Sequence, residues 1–171
     1  MLNNTDAETV GKLFEDAIQL EKATEALYAQ LASIFGDYPE VSKFWKHYAD
    51  EERGHASYLE RIRAVVEVGR LSNPADGAIF EKVQYCLETA SQKRLEKIVN
   101  LDDAYRLAIE LENSETNAIF EFMLVNFSTD ELAKSHQFLR IQLSNHVAKL
   151  ENEFPSQYRS QAARQNVLVA R

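Results

Sequence analysis

The chain has 171 residues, 27% of them charged and 45% hydrophobic, with a formal net charge of −8; this is the make-up of one globular domain with room for a real core. No apolar run approaches membrane-spanning length, and the acidic balance argues against general nucleic-acid binding. The single cysteine, Cys86, excludes an internal disulfide and every CxxC metal knuckle, and the opening Met1-Leu2-Asn3-Asn4-Thr5-Asp6 lacks the basic and apolar stretches of a secretory signal, so a reducing cytoplasm is expected.

Caps and breakers divide the chain into helices. Thr5-x-x-Glu8 reads as a capping box opening a first helix that runs to about Phe35, where Gly36-Asp37-Tyr38-Pro39 forces a turn. Pro39 suits the first turn of a second helix, continuing to about Val68 before Gly69. Asn73-Pro74 precedes a shorter helical stretch over roughly Ala78 to Ile98. Asn100, with Asp103 three residues on, starts a third long helix ending near Phe127. Ser128-Thr129-Asp130-Glu131 is a second capping box, and the final long helix runs to about Phe154, closed by Pro155. All three prolines fall at boundaries, and no segment alternates as a strand does.

The expected fold is therefore all-α: a four-helix bundle over residues 1–154, built from two antiparallel helix hairpins joined by a long, partly helical crossover from Gly69 to Asn100. Residues 155–171 form a C-terminal tail with Arg159, Arg164 and Arg171 and no acidic residue, which reads as a mobile end or a docking strip.

One spacing occurs twice in this bundle. Glu21 precedes Glu52-Arg53-Gly54-His55 by 31 positions, and Glu112 precedes Leu143-Ser144-Asn145-His146 by the same 31. At an offset of 91 residues Glu21 falls on Glu112, His55 on His146, and Glu52 on Leu143. A carboxylate on one helix followed by Glu-x-x-His on the next is how a four-helix bundle builds a core site for two metals. The first half is intact; the second has Leu143 where a Glu is expected.

Each long helix has an apolar stripe at helical spacing, and Glu21, Glu52, His55, Glu112, Glu115 and His146 lie within those stripes, near mid-helix. An isolated buried carboxylate is costly, and a cluster of them repels or holds protons; bound divalent cations remove both problems. Carboxylate oxygen with imidazole nitrogen and no thiolate suits iron or manganese. Residues three apart share a helix face, so Glu52 and His55 can bind one cation together. Gly54 lies between them, where a bulkier residue is expected to crowd a neighbouring helix.

Other residues read differently. Glu25, one turn after Glu21, is an alternative to it; His136 reads as a polar core or bundle-end residue and His47 as a surface one. Tyr28, seven residues past Glu21, is either a core tyrosine or a hydrogen-bonding, radical-capable neighbour of the site. Phe44, Trp45, Phe120, Phe122 and Phe127 read as packing, and Cys86 as inert.

Glu21 with Tyr28, then Glu52-x-x-His55, then Glu112 with Glu115, then x-x-His146, resembles the rubrerythrin branch of the ferritin-like superfamily over roughly residues 7 to 154. The resemblance implies a ferritin-like bundle with a non-haem di-iron centre that reduces peroxide, reacts with oxygen or oxidises ferrous iron. It carries Glu21, Glu52, His55, Glu112 and His146 over as ligands, with Glu115 as a sixth that exchanges with another carboxylate as the iron changes state. It also implies a homodimer. Two departures stand out. Rubrerythrins of the full type carry a rubredoxin module with paired CxxC motifs; this sequence has one cysteine, so a separate electron-donor protein is expected. Leu143 cannot bind metal, and the adjacent Gln142 points about 100° around the helix, so Glu115 is the residue left to compensate.

Three readings follow. The first is a redox enzyme acting on peroxide or oxygen, with two irons per chain if the site is complete and one if it is not, manganese or zinc being alternatives. The second, favoured by Leu143, is a non-catalytic metal-binding sensor or carrier with a degenerate second position. The third is a metal-free bundle serving as an interaction module.

Overall fold

The computed structural model describes residues 8–131, 133 and 145–158, the side chains at 116, 117 and 120 excepted. The helices with described bounds are α1 Val10–Ile34, α2 Pro39–Val65, α3 Val68–Leu71, α4 Gly77–Thr89, α5 Gln92–Leu95, α6 Leu101–Asn126 and α7 His146–Glu153, and residues 129–131 and 156–158 are helical as well. The architecture is all-α and ferritin-like. Among the described residues no helix is long and apolar enough to cross a membrane.

Local chemistry fixes most boundaries. Pro39 occupies the first turn of α2, where its missing N–H costs nothing. Asn100 accepts from Asp103 N at 2.9 Å to start α6. Asp76 accepts from Ala78 N at 2.8 Å to start α4. Ser128 and Glu131 form a reciprocal box: Ser128 N donates to Glu131 Oε2 at 2.8 Å and Glu131 N to Ser128 Oγ at 3.4 Å.

Four details differ from the sequence reading. The N-cap of α1 is Thr9, whose hydroxyl accepts from Lys12 N at 3.1 Å; Thr5 lies outside the described residues. The cap sits there because the chain at this point is tied to the crossover, through Val10 N to Asn73 O at 2.9 Å and Ala75 N to Glu8 O at 2.7 Å. Gly69 does not end a helix; α2 stops at Val65, and Gly69 lies within the short α3. The stretch from Ala78 to Ile98 is two helices, because Ser91 adopts extended backbone (ψ 155°) and restarts the chain as the cap of α5. The chain also does not leave the bundle at Pro155: Gln157 Nε2 donates to Glu40 Oε2 at 2.8 Å, and Tyr158 packs edge-on to Tyr38 with ring centroids 5.5 Å apart. Arg159, Arg164 and Arg171 lie outside the described residues.

Helices α1 and α2 run antiparallel, since cross-helix pairs climb one helix as they descend the other: Glu15 with Arg63, Lys22 with Glu60, Glu25 with Arg53, and Ala32 O with Ser42 Oγ. In the same way Glu112 meets His146 while Tyr105 meets Phe154, so α6 and α7 oppose each other. Helix α4 lies against α1 and α6, tied by Gln84 to Asp16 at 3.0 Å and Lys82 to Glu121 at 2.7 Å. The core holds Trp45, Tyr28, Tyr48, Phe14, Phe122 and Phe154, all fully buried, with leucines of α1, α2 and α6 between them. Each such apolar side chain contributes roughly 1.5–3 kcal/mol by leaving water. Phe44, Trp45, Phe122 and Phe127 belong to this aromatic packing, Phe14 meeting Phe122 edge-on at 4.7 Å.

Candidate metal centre

Six ionisable side chains interrupt that apolar interior. Glu21 comes from α1, Glu52 and His55 from α2, Glu112 and Glu115 from α6, and His146 from the first turn of α7. None is more than 3% exposed. The three-residue spacing of Glu52 and His55, and of Glu112 and Glu115, sets both members of each pair on the inward face of its helix.

Glu52 is the hinge of the arrangement. Its Oε2 lies 2.9 Å from His55 Nδ1, and the same nitrogen faces Glu21 Oε2 at 3.3 Å. Its Oε1 lies 3.2 Å from His146 Nδ1, which in turn is 2.9 Å from Glu112 Oε2. One carboxylate thus divides its two oxygens between two Glu–His pairs, whose imidazole centroids are 4.8 Å apart. Donor atoms of Glu52, His55 and His146 lie within 4.8 Å of one another, as do those of Glu21, Glu52 and Glu115. Thr24 Oγ1 faces Glu115 Oε2 at 3.3 Å.

The electrostatics follow from this crowding. Burial, then the charge of Glu52, pushes the Glu21 carboxyl well above the usual range. Burial and the charges of Glu21 and Glu52 do the same to Glu115, and burial with Glu52 raises Glu112. Burial also opposes ionisation of Glu52, but hydrogen bonds from His146 and His55 outweigh it and hold this carboxylate well below the usual range. Burial works against a charged His146, yet Glu112 and Glu52 bring it up to about 10. The core therefore keeps protons wherever a cation is lacking.

The donor set fits divalent cations. Both oxygens of Glu21 and Glu115 Oε1 are buried without a hydrogen-bond partner among the described residues. Such orphaned oxygens are rare and costly unless something electropositive satisfies them. Oxygen with imidazole nitrogen and no thiolate suits iron or manganese.

Around these six sit residues that spacing alone did not single out. Glu51 Oε2 faces His146 Nε2 at 3.5 Å, and Lys149 Nζ and His47 Nε2 both pair with its Oε1, His47 at 3.4 Å. Tyr48 donates to the His146 carbonyl at 2.8 Å. The only sequence signal for Glu51 was its place beside Glu52, and for Thr24 its place 91 residues before Glu115.

Tyr28 is fully buried, donates to Glu112 Oε1 and stacks on Trp45 at 5.6 Å, so it is both core and neighbour of the site. Glu25 turns outward and accepts from Arg53 Nε at 2.8 Å, away from the cluster. His47 is exposed. The Cys86 thiol is buried and pushed up to about 12 by burial and by Glu115. Gly54 does not relieve crowding: a Cβ there meets nothing within 4 Å, because the position points outward. His136, Gln142 and Leu143 lie outside the described residues, and so does the Phe120 side chain.

A family model described as Rubrerythrin matches residues 12–140, well over half the chain. The matched range takes in Glu21, Glu52, His55, Glu112 and Glu115 and stops short of Leu143 and His146. Comparison with curated proteins and with solved structures gives no significant match.

Proposed function

The chain belongs to the rubrerythrin family, and from that premise we propose that it is a non-haem iron oxidoreductase that reduces peroxide at a two-ion centre in the bundle core. The observation that carries this reading is the division of the Glu52 oxygens between His55 with Glu21 and His146 with Glu112. Glu21, His55 and Glu52 would hold one ion, and Glu112, His146 and Glu52 the other, with Glu115 near enough to Glu21 and Glu52 to join the first. Iron in such a site supplies two-electron chemistry toward peroxide, and equally toward oxygen.

The chain's own residues set the conditions. Tyr28, whose phenol is raised well above its ordinary value by burial and then by Glu112, keeps its proton on Oη and donates to Glu112 Oε1. That bond leaves Glu112 Oε2 facing His146. The ring of Tyr28 with Trp45 and Tyr48 walls this side of the site against water. The one cysteine of this sequence offers no paired thiolates for an iron–sulfur relay, which supports a separate protein as the electron donor in this proposal.

Leu143 favours a second reading, in which one ion is held tightly and the protein carries or senses metal without turnover. Iron content after anaerobic ferrous loading, followed by peroxide consumption with an added reductant, separates the two. Two irons and sustained consumption are expected. One iron with no consumption transfers the assignment to the binding protein; iron-replete protein that leaves peroxide intact overturns the enzyme.

A further inference from the structure

We propose that Glu51 is a positioning residue that fixes the tautomer of His146, so that Nδ1 is presented to the core and Nε2 carries the proton; this rests on the two-ion reading above. The geometry is the starting point. His146 Nδ1 is directed at Glu112 Oε2 and Glu52 Oε1, at 2.9 and 3.2 Å. A neutral imidazole has one N–H and one lone pair, and a ring that offers Nδ1 to a cation must carry its hydrogen on Nε2. That nitrogen is buried and has no hydrogen-bond partner among the described residues. A buried N–H without an acceptor is costly.

The group facing it is Glu51 Oε2, at 3.5 Å, and this oxygen too is buried and without a hydrogen-bond partner among the described residues. Two complementary orphans thus face each other slightly beyond bonding range. A contraction of about 0.7 Å closes a charge-assisted hydrogen bond. The rest of Glu51 is built to hold Oε2 in place: Lys149 Nζ donates to Oε1, and His47 Nε2 stands 3.4 Å from the same oxygen. Lys149 lies three residues after His146 on α7, so it is on the same side of the helix as the ring whose partner it steadies. The backbone of His146 is held independently by Tyr48, which donates to its carbonyl at 2.8 Å.

A carboxylate on the far nitrogen of a ligating histidine orients the ring and makes it a stronger donor, and removing one typically costs about 10–100-fold in metal affinity. Glu51 therefore returns negative charge, through His146, to the half of the site whose sequence has Leu143 in place of a Glu.

The test is a Co(II) titration of the metal-free full chain, read by cobalt absorption and by the hyperfine-shifted, exchangeable imidazole N–H resonances. His146→Ala identifies the His146 resonance by deleting it. In Glu51→Ala that same resonance should broaden or vanish through exchange with solvent, and Co(II) affinity should fall about tenfold or more at one position only. Glu51→Gln, which keeps an acceptor and the side-chain shape, should retain the resonance with a smaller loss. Lys149→Gln, which leaves Glu51 in place but unclamped, should speed its exchange and covers the case in which Glu51→Ala fails to fold. An unchanged resonance and affinity in Glu51→Ala, or equal weakening at both positions, overturns the role of Glu51 and leaves the two-ion reading standing. Native chain that binds no Co(II), or binds it identically in His146→Ala, overturns the two-ion reading and the role of Glu51 with it.

Discussion

The two halves of the bundle contribute unequally to the same core. The first half brings Glu21, Glu52 and His55 on α1 and α2, and the second brings Glu112, Glu115 and His146. It also surrounds the second half's residues with polar partners: Thr24 faces Glu115, Tyr28 donates to Glu112, Tyr48 to the His146 carbonyl, and Glu51 stands behind the His146 ring. At the 91-residue offset the counterparts of these four are Glu115, Ile119, Leu139 and Gln142. The carboxylate missing at Leu143 thus reappears at Glu115, opposite the small hydroxyl of Thr24. On the two-ion reading, the comparison teaches that the number of nearby carboxylates matters more than their position. Glu21, Glu52, Glu112 and Glu115, all buried, would together offer four negative charges to balance two divalent ions.

The comparison breaks most completely at the residue both halves share. Glu52→Ala should abolish iron binding, with metal content per chain near zero after loading and a melting temperature indifferent to iron. Retention of one ion would mean that the halves act independently, and that Glu52 belongs to only one of them.

The next largest effect concerns the displaced carboxylate. Glu115→Thr makes position 115 match Thr24 and should lower retention of one ion by roughly tenfold or more. Adding Leu143→Glu to that variant should restore it, since the carboxylate number is then regained at the position the repeat prescribes. Leu143→Glu alone should tighten binding in loaded protein while lowering the melting temperature of metal-free protein, because the position that the repeat aligns with Glu52 would then add a like charge to the four carboxylates. Elemental analysis and thermal melts with and without chelator read both.

Much of this was legible in the sequence because metal-type spacing survives as a pattern even when one member is lost. The six side chains that meet in the core are those the 31-residue gaps and apolar stripes brought forward. Asn100, Ser128 with Glu131, and Pro39 marked helix starts because capping is a local event. Thr9 was missed as a cap because the tie of Val10 N to Asn73 O, a contact between distant segments, decides where α1 begins. Glu51 and Tyr48 were missed for a similar reason: each acts on a helix other than its own, and the relative rotation of α2 and α7 cannot be read from either alone. Gly54 misled because a glycine between two inward residues suggests close packing, whereas its own direction on the helix is outward.

A pH series sharpens the comparison, since the halves hold protons differently. His146 has its folded pKa raised from 6.5 to about 10, so its contribution to stability is fully present below 6.5 and is lost as pH rises through 10. Glu21, Glu112 and Glu115 are raised from 4.5, so the folded metal-free protein also loses stability as pH climbs from 4.5 through their folded values. Glu52 is depressed, so its contribution is present above 4.5 and is lost only on acidification. Metal-free protein should therefore melt at falling temperatures as pH rises from about 6.5 toward 10. Iron- or cobalt-loaded protein should show a flatter profile, since the cations take the place of the protons; parallel profiles would mean that the bound ions sit elsewhere.

The smallest effect comes from the phenol that ties Glu112 to the first half. Tyr28 and its counterpart Ile119 are both fully buried, but only Tyr28 reaches across, to Glu112. Tyr28→Phe keeps the ring stacked on Trp45, nearly coplanar at 4° and 5.6 Å, so the apolar packing is unchanged and only the hydroxyl is lost. In metal-free protein this strips a buried carboxyl of a donor and should cost about 2 kcal/mol in chemical denaturation. In loaded protein a cation already satisfies Glu112, and the cost should be visibly smaller. The gap between the two denaturation curves is the informative quantity: it should widen on Tyr28→Phe if Glu112 binds metal. Equal losses with and without metal would instead make the Tyr28–Glu112 bond a structural tie of the core, with the second ion held, if at all, by other groups.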